Sequence, residues 1–346
     1  MSALHVESSR SLGDHIRSAA ARVDLGADAM HDAVNAIMSG DVSPAQIAAL
    51  LVALALKGET AAEIAGAAKA MRAHAVPVRT SRRDAIDVCG TGGYASGTFN
   101  ISTAVAFVVA GAGVPVAKHG NRAMSSRCGS ADVLETCGVR IDVAPGRCGE
   151  ILDEHGITFI FAQAHHPAMR HVAPVRRQIG IRTLFNVLGP LTNPAGVPRQ
   201  IVGVAHAGAH RAVAEALYRL GAERAAVLRG CDGLDEATLA GPTHVLEVCD
   251  GRVLEYEIAP EDADLDRGPT SALLGGDAAD NAAIVRRVLG GAPGAHRDVV
   301  VLNAALALYI AGRAQSILDG AILARRAIDE GAALEKLDIL IRETNR

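Results

Sequence analysis

The rhythm of apolar positions along the chain changes near residue 80. Upstream, the apolar residues recur at helical spacing only. Val34 and Ile37 precede a stop at Gly40. Ser43-Pro44-Ala45-Gln46 is a capping box with proline at the first helical position. Ile47, Leu50, Leu51 and Leu54 then share one face, and Gly58 ends the helix. Thr60-Ala61-Ala62-Glu63 is a second capping box, followed by Ile64, Ala67, Ala68 and Met71. Helices this short and alanine-rich need a partner surface. They are expected to form a small helical domain that docks elsewhere, with a dimer surface as the sharper use of its apolar face. Val76-Pro77-Val78-Arg79 breaks the pattern and reads as a linker. Residues 1–78 are thus expected as a helical domain and 79–346 as a larger domain, some of whose helices pack back on the first.

Beyond the linker the pattern alternates. Short apolar runs predict strands at 85–89, 114–118, 157–162, 200–205 and 224–229. Between them, helical spacing predicts a helix from about Ser102, and others near 131–137, 146–155 and 209–220. Such alternation predicts an α/β fold, with a mostly parallel sheet covered by helices. Two β-rich runs around Asp250-Gly251 predict a hairpin over 244–258. The acidic, Gly/Pro-rich stretch 260–277 reads as a surface loop, and the tail turns helical again at 280–289, 299–311 and 317–329.

Composition sharpens this picture. The chain is 49% hydrophobic but only 3% aromatic, so its core must be built from Ala, Val, Leu and Ile. A formal charge of −4 without a basic run disfavours avid nucleic-acid binding. The six cysteines form no C-x-x-C pair and suit neither a zinc site nor a disulfide framework. They read as reduced, mostly buried thiols. Met1 to Arg10 has no apolar core of the signal-peptide kind. The apolar run from Ala104 to Ala117 is too short for a membrane span. A cytoplasmic protein is expected.

The candidate chemistry lies between Asp87 and Ser130. Ala85-Ile86-Asp87-Val88-Cys89 predicts a buried strand that ends in the turn Gly90-Thr91-Gly92-Gly93. Its glycines let backbone N–H groups approach a ligand. Thr98-Phe99-Asn100-Ile101-Ser102-Thr103 then opens a helix whose first turn suits phosphate oxygens. A following strand delivers Lys118-His119-Gly120-Asn121-Arg122 to the same edge. A dinucleotide site would need an acid about 20 residues past the turn, and none occurs between Asp87 and Asp132. No P-loop pattern is present either. The strand–turn–helix–strand unit is instead shaped to hold a multiply charged phosphate ester.

These motifs, with Ser125-Ser126 and Gly129-Ser130-Ala131-Asp132, resemble the anthranilate phosphoribosyltransferases of tryptophan biosynthesis. The resemblance continues through His166-Pro167-Ala168-Met169, Val175-Arg176-Arg177, Gly180-Ile181-Arg182-Thr183, the run from Phe185 to Pro194, Gly233-Leu234-Asp235-Glu236 and Leu302-Asn303-Ala304-Ala305. It implies a homodimeric glycosyltransferase that uses Mg²⁺ and moves a phosphoribosyl group from phosphoribosyl pyrophosphate (PRPP) to the amine of anthranilate. Gly90, Gly93 and Tyr94 would line the donor turn, with Thr98, Asn100, Ile101, Ser102 and Thr103 at its phosphates. Lys118, His119, Gly120, Asn121, Arg122, Ala123, Met124, Ser125 and Ser126 would wrap the donor, and Ser130 would close it. Asn121, His166 and Arg176 would meet anthranilate. Lys118, Asn121 and Arg176 would sit at the reacting centre, and Ser102, Asp235 and Glu236 would hold the metal. Neither nucleic acid nor a membrane is an expected partner.

The residue types agree with that chemistry. Mg²⁺ takes a few carboxylates plus phosphate oxygens and water. A guanidinium such as that of Arg176 forks onto a carboxylate. An aromatic amine is mostly neutral at pH 7, so no strong base is needed and proximity does much of the work. His165-His166, read as an extended pair, would point opposite ways and hold no metal together. Phe185-Asn186 and Leu188-Gly189-Pro190 read as architectural turns beside the site. In place of the family's usual Asp-Gly after G-T-G-G stands Tyr94-Ala95, which predicts altered donor affinity or an altered response to excess Mg²⁺. A pyrimidine nucleoside phosphorylase and a non-catalytic, nucleic-acid-binding relative are the competing readings.

Overall fold

The computed structural model describes residues 11–92, 97–123 and 127–346. Its first four helices are α1 (Leu12–Ala20), α2 (Ala27–Ser39), α3 (Pro44–Lys57) and α4 (Ala61–Ala73). Both expected capping boxes form: Ser43 Oγ accepts from Gln46 N–H, and Thr60 Oγ1 from Glu63 N–H. Each such cap is worth about 1 kcal/mol.

After the linker come β1 (Ile86–Gly90), α5 (Ile101–Gly111), β2 (Val116–Gly120), α6 (Ser130–Thr136), α7 (Pro145–His155) and β3 (Ile157–Phe161). Three short helices follow, α8 (Ala162–His165), α9 (Ala173–Ile179) and α10 (Phe185–Leu188). Then come β4 (Arg199–Gly203), α11 (Ala207–Arg219), β5 (Arg224–Gly230), and the antiparallel pair β6 (Thr243–Cys249) and β7 (Arg252–Ile258). The chain closes with α12 (Ala278–Leu289), α13 (Ala295–Ile310), α14 (Ile317–Asp329) and α15 (Ala332–Thr344).

The strands form one sheet in the order β3-β2-β1-β4-β5-β6-β7. The first five are parallel, and the hairpin adds an antiparallel edge. Strand order reverses at β1, with β2 on one side and β4 on the other. In open α/β sheets the crevice past the strand ends at such a point is where ligands bind.

Each sheet face has its own core. On one, the nearly wholly buried α5 packs with α12, α13, α14 and α15. On the other, Val202, Val204, Val227 and Leu246 meet α11, the helices α2, α3 and α4, and the segment 168–191. The N-terminal helices therefore share one core with α11 and with α9 and α10. The linker is pinned rather than free: Val76 N–H donates to His165 O (2.8 Å), Val78 N–H to Pro194 O (3.0 Å), and Val78 is buried.

Two expectations need correction. The second strand begins at Val116, not 114. Pro115 has no N–H for the ladder, and Val114 N–H instead closes the end of α5 on Val109 O. The stretch 260–277 is not a plain surface loop. Pro260, Ala263 and Leu273 are buried, Phe99 N–H donates to Leu273 O (3.1 Å), and Thr98 bridges to Leu274. Smaller shifts occur elsewhere, as at β4, which spans Arg199–Gly203. No disulfide forms among the cysteines, and four of them are buried.

Candidate active site

The site grows from the ends of β1, β2 and β4. Past Gly90, Thr91 N–H donates to Gly203 O (2.8 Å), which ties the glycine turn to the neighbouring strand. Gly92 sits at φ +64°, a conformation that favours glycine, and its N–H donates to Asp235 Oδ2 (3.1 Å). Any side chain at Gly203 would place its Cβ 1.7 Å from Asp235 O, and one at Gly90 would come 2.8 Å from Asp235 Oδ2. The small residues at two strand ends are what let the loop after β5 bring Asp235 and Glu236 over the turn.

Glu236 is buried and accepts from both the backbone N–H and the hydroxyl of Ser102, at the first turn of α5. Burial and the neighbouring charge of Asp235 push its carboxyl well above the ordinary range; Lys118 and Ser102 pull it partly back. Burial also raises Asp235, offset by the N–H of Gly92 and the charge of Arg182. Lys118, buried on β2, donates to Val88 O (2.6 Å) and to Ser102 Oγ (3.4 Å). Two crowded carboxylates beside a hydroxyl, opening on a cleft, suit a divalent cation whose charge would relieve their repulsion. Among the described residues no third carboxylate, His or Cys joins them. Phosphate oxygens and water would complete the shell, as Mg²⁺ prefers.

Beneath lies a network that sequence reading missed. Asp87 is wholly buried, and its carboxylate accepts from His119 N–H (3.1 Å) and Asn193 Nδ2 (2.8 Å). Asn193 Nδ2 also donates to Ala117 O (2.8 Å). This amide thus staples β1 to β2 just below Lys118 and His119. The sequence signal was an acid inside an apolar strand run, which only a tertiary partner can satisfy. Asn281, buried on α12, donates to Asn100 Oδ1 (3.0 Å), while Asn100 Nδ2 donates to Cys128 O (3.3 Å). Arg182 reaches Gly92 O (3.3 Å).

A cavity of about 340 Å³ is lined by Gly90, Asn100, Ser102, Lys118, Ser130 and the acid pair, among others. A second, of about 580 Å³, opens beside it between β2 and the segment after β3. It is lined by His166, Met169, Arg170, Ala173, Gly189 and Thr192, among others. The two share His119, Asn121, Ala123, Arg176 and Phe185.

The second cavity has no carboxylate in its described lining, which combines imidazoles with Arg170, Arg176 and Arg177. His119 and His166 stand 5.3 Å apart, centroid to centroid. Burial first, then the other histidines nearby, lower His119 to about 3 and His166 to about 4, so both imidazoles are neutral at pH 7. His119 Nδ1 pairs with Gly189 O (3.2 Å). Its Nε2 and that of His166 are buried without a hydrogen-bond partner among the described residues. Arg176, on α9, lies over the Phe185 ring at 5.9 Å and makes no ion pair among the described residues. Burial and the charge of Arg182 lower its pKa. Arg177 is exposed beside it.

The candidate residues from sequence mostly converge here, with exceptions. Ile101 points into the core and can offer only its backbone. Thr98 lies in the bridge to Leu274 and lines neither cavity. Arg122 lines the first cavity, but its guanidinium pairs with Asp132 (3.0 Å) and Glu135 (2.8 Å). Gly120 and Thr103 line the first cavity as expected. Gly93, Tyr94, Met124, Ser125 and Ser126 lie outside the described residues. His165 and His166 are not an extended pair: they close α8, where His165 Nδ1 turns to Val76 O (2.9 Å) and His166 to the second cavity.

Comparison with known proteins places the site in a family. Residues 82–334 match the α/β domain of a glycosyl transferase family, and 14–75 match its helical bundle domain. An anthranilate phosphoribosyltransferase of Rubrobacter xylanophilus is 54% identical over 336 residues, which is 97% of this chain and 98% of that one. The crystal structure of the Thermus thermophilus anthranilate phosphoribosyltransferase superposes with a TM-score of 0.91 at 46% identity, over 96% of this chain and all of that one. The Saccharomyces cerevisiae enzyme in complex with PRPP and Mg superposes with a TM-score of 0.88 at 28% identity, covering 96% and 98% of the two chains. The same yeast enzyme has been solved with 4-fluoroanthranilate. The resemblance carried by the glycine turn and the lysine strand holds over the whole fold, and this chain belongs to the anthranilate phosphoribosyltransferase family.

Proposed function

We infer that this chain transfers the phosphoribosyl group of PRPP to the amine of anthranilate, giving N-(5-phosphoribosyl)anthranilate and diphosphate, a step of tryptophan biosynthesis. The observation that carries this is the junction of two unlike cavities at His119, Asn121 and Arg176, one holding the acid pair and Lys118, the other imidazoles and arginines without a carboxylate. In the reaction the bond from ribose C1 to the diphosphate oxygen breaks, the amine lone pair forms the N–C1 bond, and the amine releases a proton. Asp235, Glu236 and Ser102 would hold Mg²⁺, which when bound supplies positive charge to the departing diphosphate. Lys118 and the first-turn N–H groups of α5 add fixed positive potential at the same place. Asn100, Thr103 and Ser130 present polar groups along the donor cavity. Arg176 takes the carboxylate of anthranilate, while Phe185 and the neutral His119 and His166 face its ring.

The homodimer belongs to this reading. It is supported by the outward face of α1 and α3, where Ile16, Val52, Ala53 and the exposed Leu56 surround a cavity of about 650 Å³. The division of the chain at residues 78 and 79 and a place in the cytoplasm are part of the same proposal. Among the described residues no helix is long and apolar enough to cross a membrane.

Anthranilate fluorescence is the test. With purified protein it should decay only when PRPP and Mg²⁺ are both present, and a chelator should stop it. Constant fluorescence with both present would overturn the reading.

A further inference from the structure

We propose that Gln163 is a positioning residue for the acceptor. Together with the backbone N–H of Arg122, it holds the amide of Asn121 so that the NH₂ group, not the carbonyl, faces the junction of the two cavities. The inference rests on the reading of that junction as the meeting place of donor and anthranilate.

The orientation of an asparagine amide follows from its partners. The backbone N–H of Arg122 can only donate, and it lies 2.8 Å from Asn121 Oδ1. That contact fixes which end of the amide is oxygen. Gln163 Nε2 donates to the same oxygen from the far wall, at 3.2 Å. Both lone pairs of Oδ1 are then used. Nδ2 has no hydrogen-bond partner among the described residues, and Asn121 lines both cavities. A buried anthranilate carboxylate would find two donors there beside the fork of Arg176. An amide turned the other way would set an oxygen against it.

Gln163 suits this task by its place. It stands on α8, directly after β3, whereas Asn121 follows β2, and these two strands are paired in register from Val116↔Ile157 to Gly120↔Phe161. The hydrogen bond from Gln163 thus joins the acceptor wall to the end of the donor strand, beside the contact of His119 with Gly189 O. Gln163 is exposed, so its replacement leaves the core untouched.

The test is a double-mutant cycle on the full-length enzyme, read as separate KM values for anthranilate and PRPP. Gln163→Leu removes the donor while keeping a side chain of similar size. It should raise the anthranilate KM by about 3- to 10-fold, as expected for one lost hydrogen bond, with the PRPP KM nearly unchanged. In an Asn121→Ala background the same change should have no further effect on the anthranilate KM. Equal effects of Gln163→Leu with and without Asn121, or no effect in either background, would overturn the role of Gln163 while leaving the activity intact. A wild-type protein that does not consume anthranilate would overturn the functional reading and this one together.

Discussion

The two sides of the cleft are built by opposite means. The donor side is made of strand ends and the first turn of one helix, and it gathers ionisable groups: Lys118 and Glu236 meet at Ser102, with Asp235 beside Glu236. The acceptor side comes from the irregular segment 162–192, which shares its core with the N-terminal helices. It is lined by neutral imidazoles and by the guanidinium groups of Arg170, Arg176 and Arg177, and no carboxylate is among its described lining. On the proposed reading, fixed charge would stand where the diphosphate leaves, while the aromatic ring would meet a surface that does not compete for the metal. A protonated His119 or His166 would add a second cation beside the developing sugar cation and oppose it. Burial prevents this and outweighs the backbone hydrogen bonds to Gly189 and Thr192, which favour the charged rings.

Removing charge from the donor side should give the largest effect. Glu236→Gln keeps the shape and loses the anion, and kcat/KM for PRPP should fall by about 10³-fold. Steady-state rates across a Mg²⁺ series would read it, and a fall of less than tenfold at saturating metal would put the two sides on equal terms. On the acceptor side, Arg176→Ala should raise the anthranilate KM by about 10- to 100-fold, the worth of a charge-assisted fork. The PRPP KM should stay within about threefold, and a parallel rise in both would erase the distinction.

The staple beneath the donor side acts on stability. Asn193→Leu takes one donor from the buried carboxylate of Asp87, leaving it the N–H of His119, and should cost about 2–3 kcal/mol in urea unfolding. The smallest effect concerns the imidazoles. Their native pKa values lie below the unfolded value of about 6.5. The unfolded chain therefore binds more protons between that value and about 4, and stability is lost as pH falls through this window. His166→Phe should flatten that part of a melting-temperature profile. An unchanged slope would mean the imidazole is not held neutral.

Much of the donor side was legible in the sequence because its residues are close together in the chain. The glycine turn, the helix opening at Ser102 and the strand to Lys118 are local patterns, and backbone geometry alone brings them to one edge. The alternation beyond residue 80 revealed the parallel sheet in the same way. What stayed hidden depends on distant partners. Asp87 needs Asn193, and Asn100 needs Asn281. The stretch 260–277 reads as a loop by composition, yet Leu273 is buried under Phe99 and supplies the carbonyl its N–H requires. The pair Gln163 and Asn121 meets only because β2 and β3 are neighbours, which no local pattern announces.

Calorimetric titration of PRPP into the wild-type protein and into Arg176→Ala, each with and without Mg²⁺, tests the division of labour directly. Tight binding in both proteins that depends on the metal is expected, because the donor is held by the charged side alone. Equal PRPP affinity without Mg²⁺, or its loss in Arg176→Ala, would contradict it.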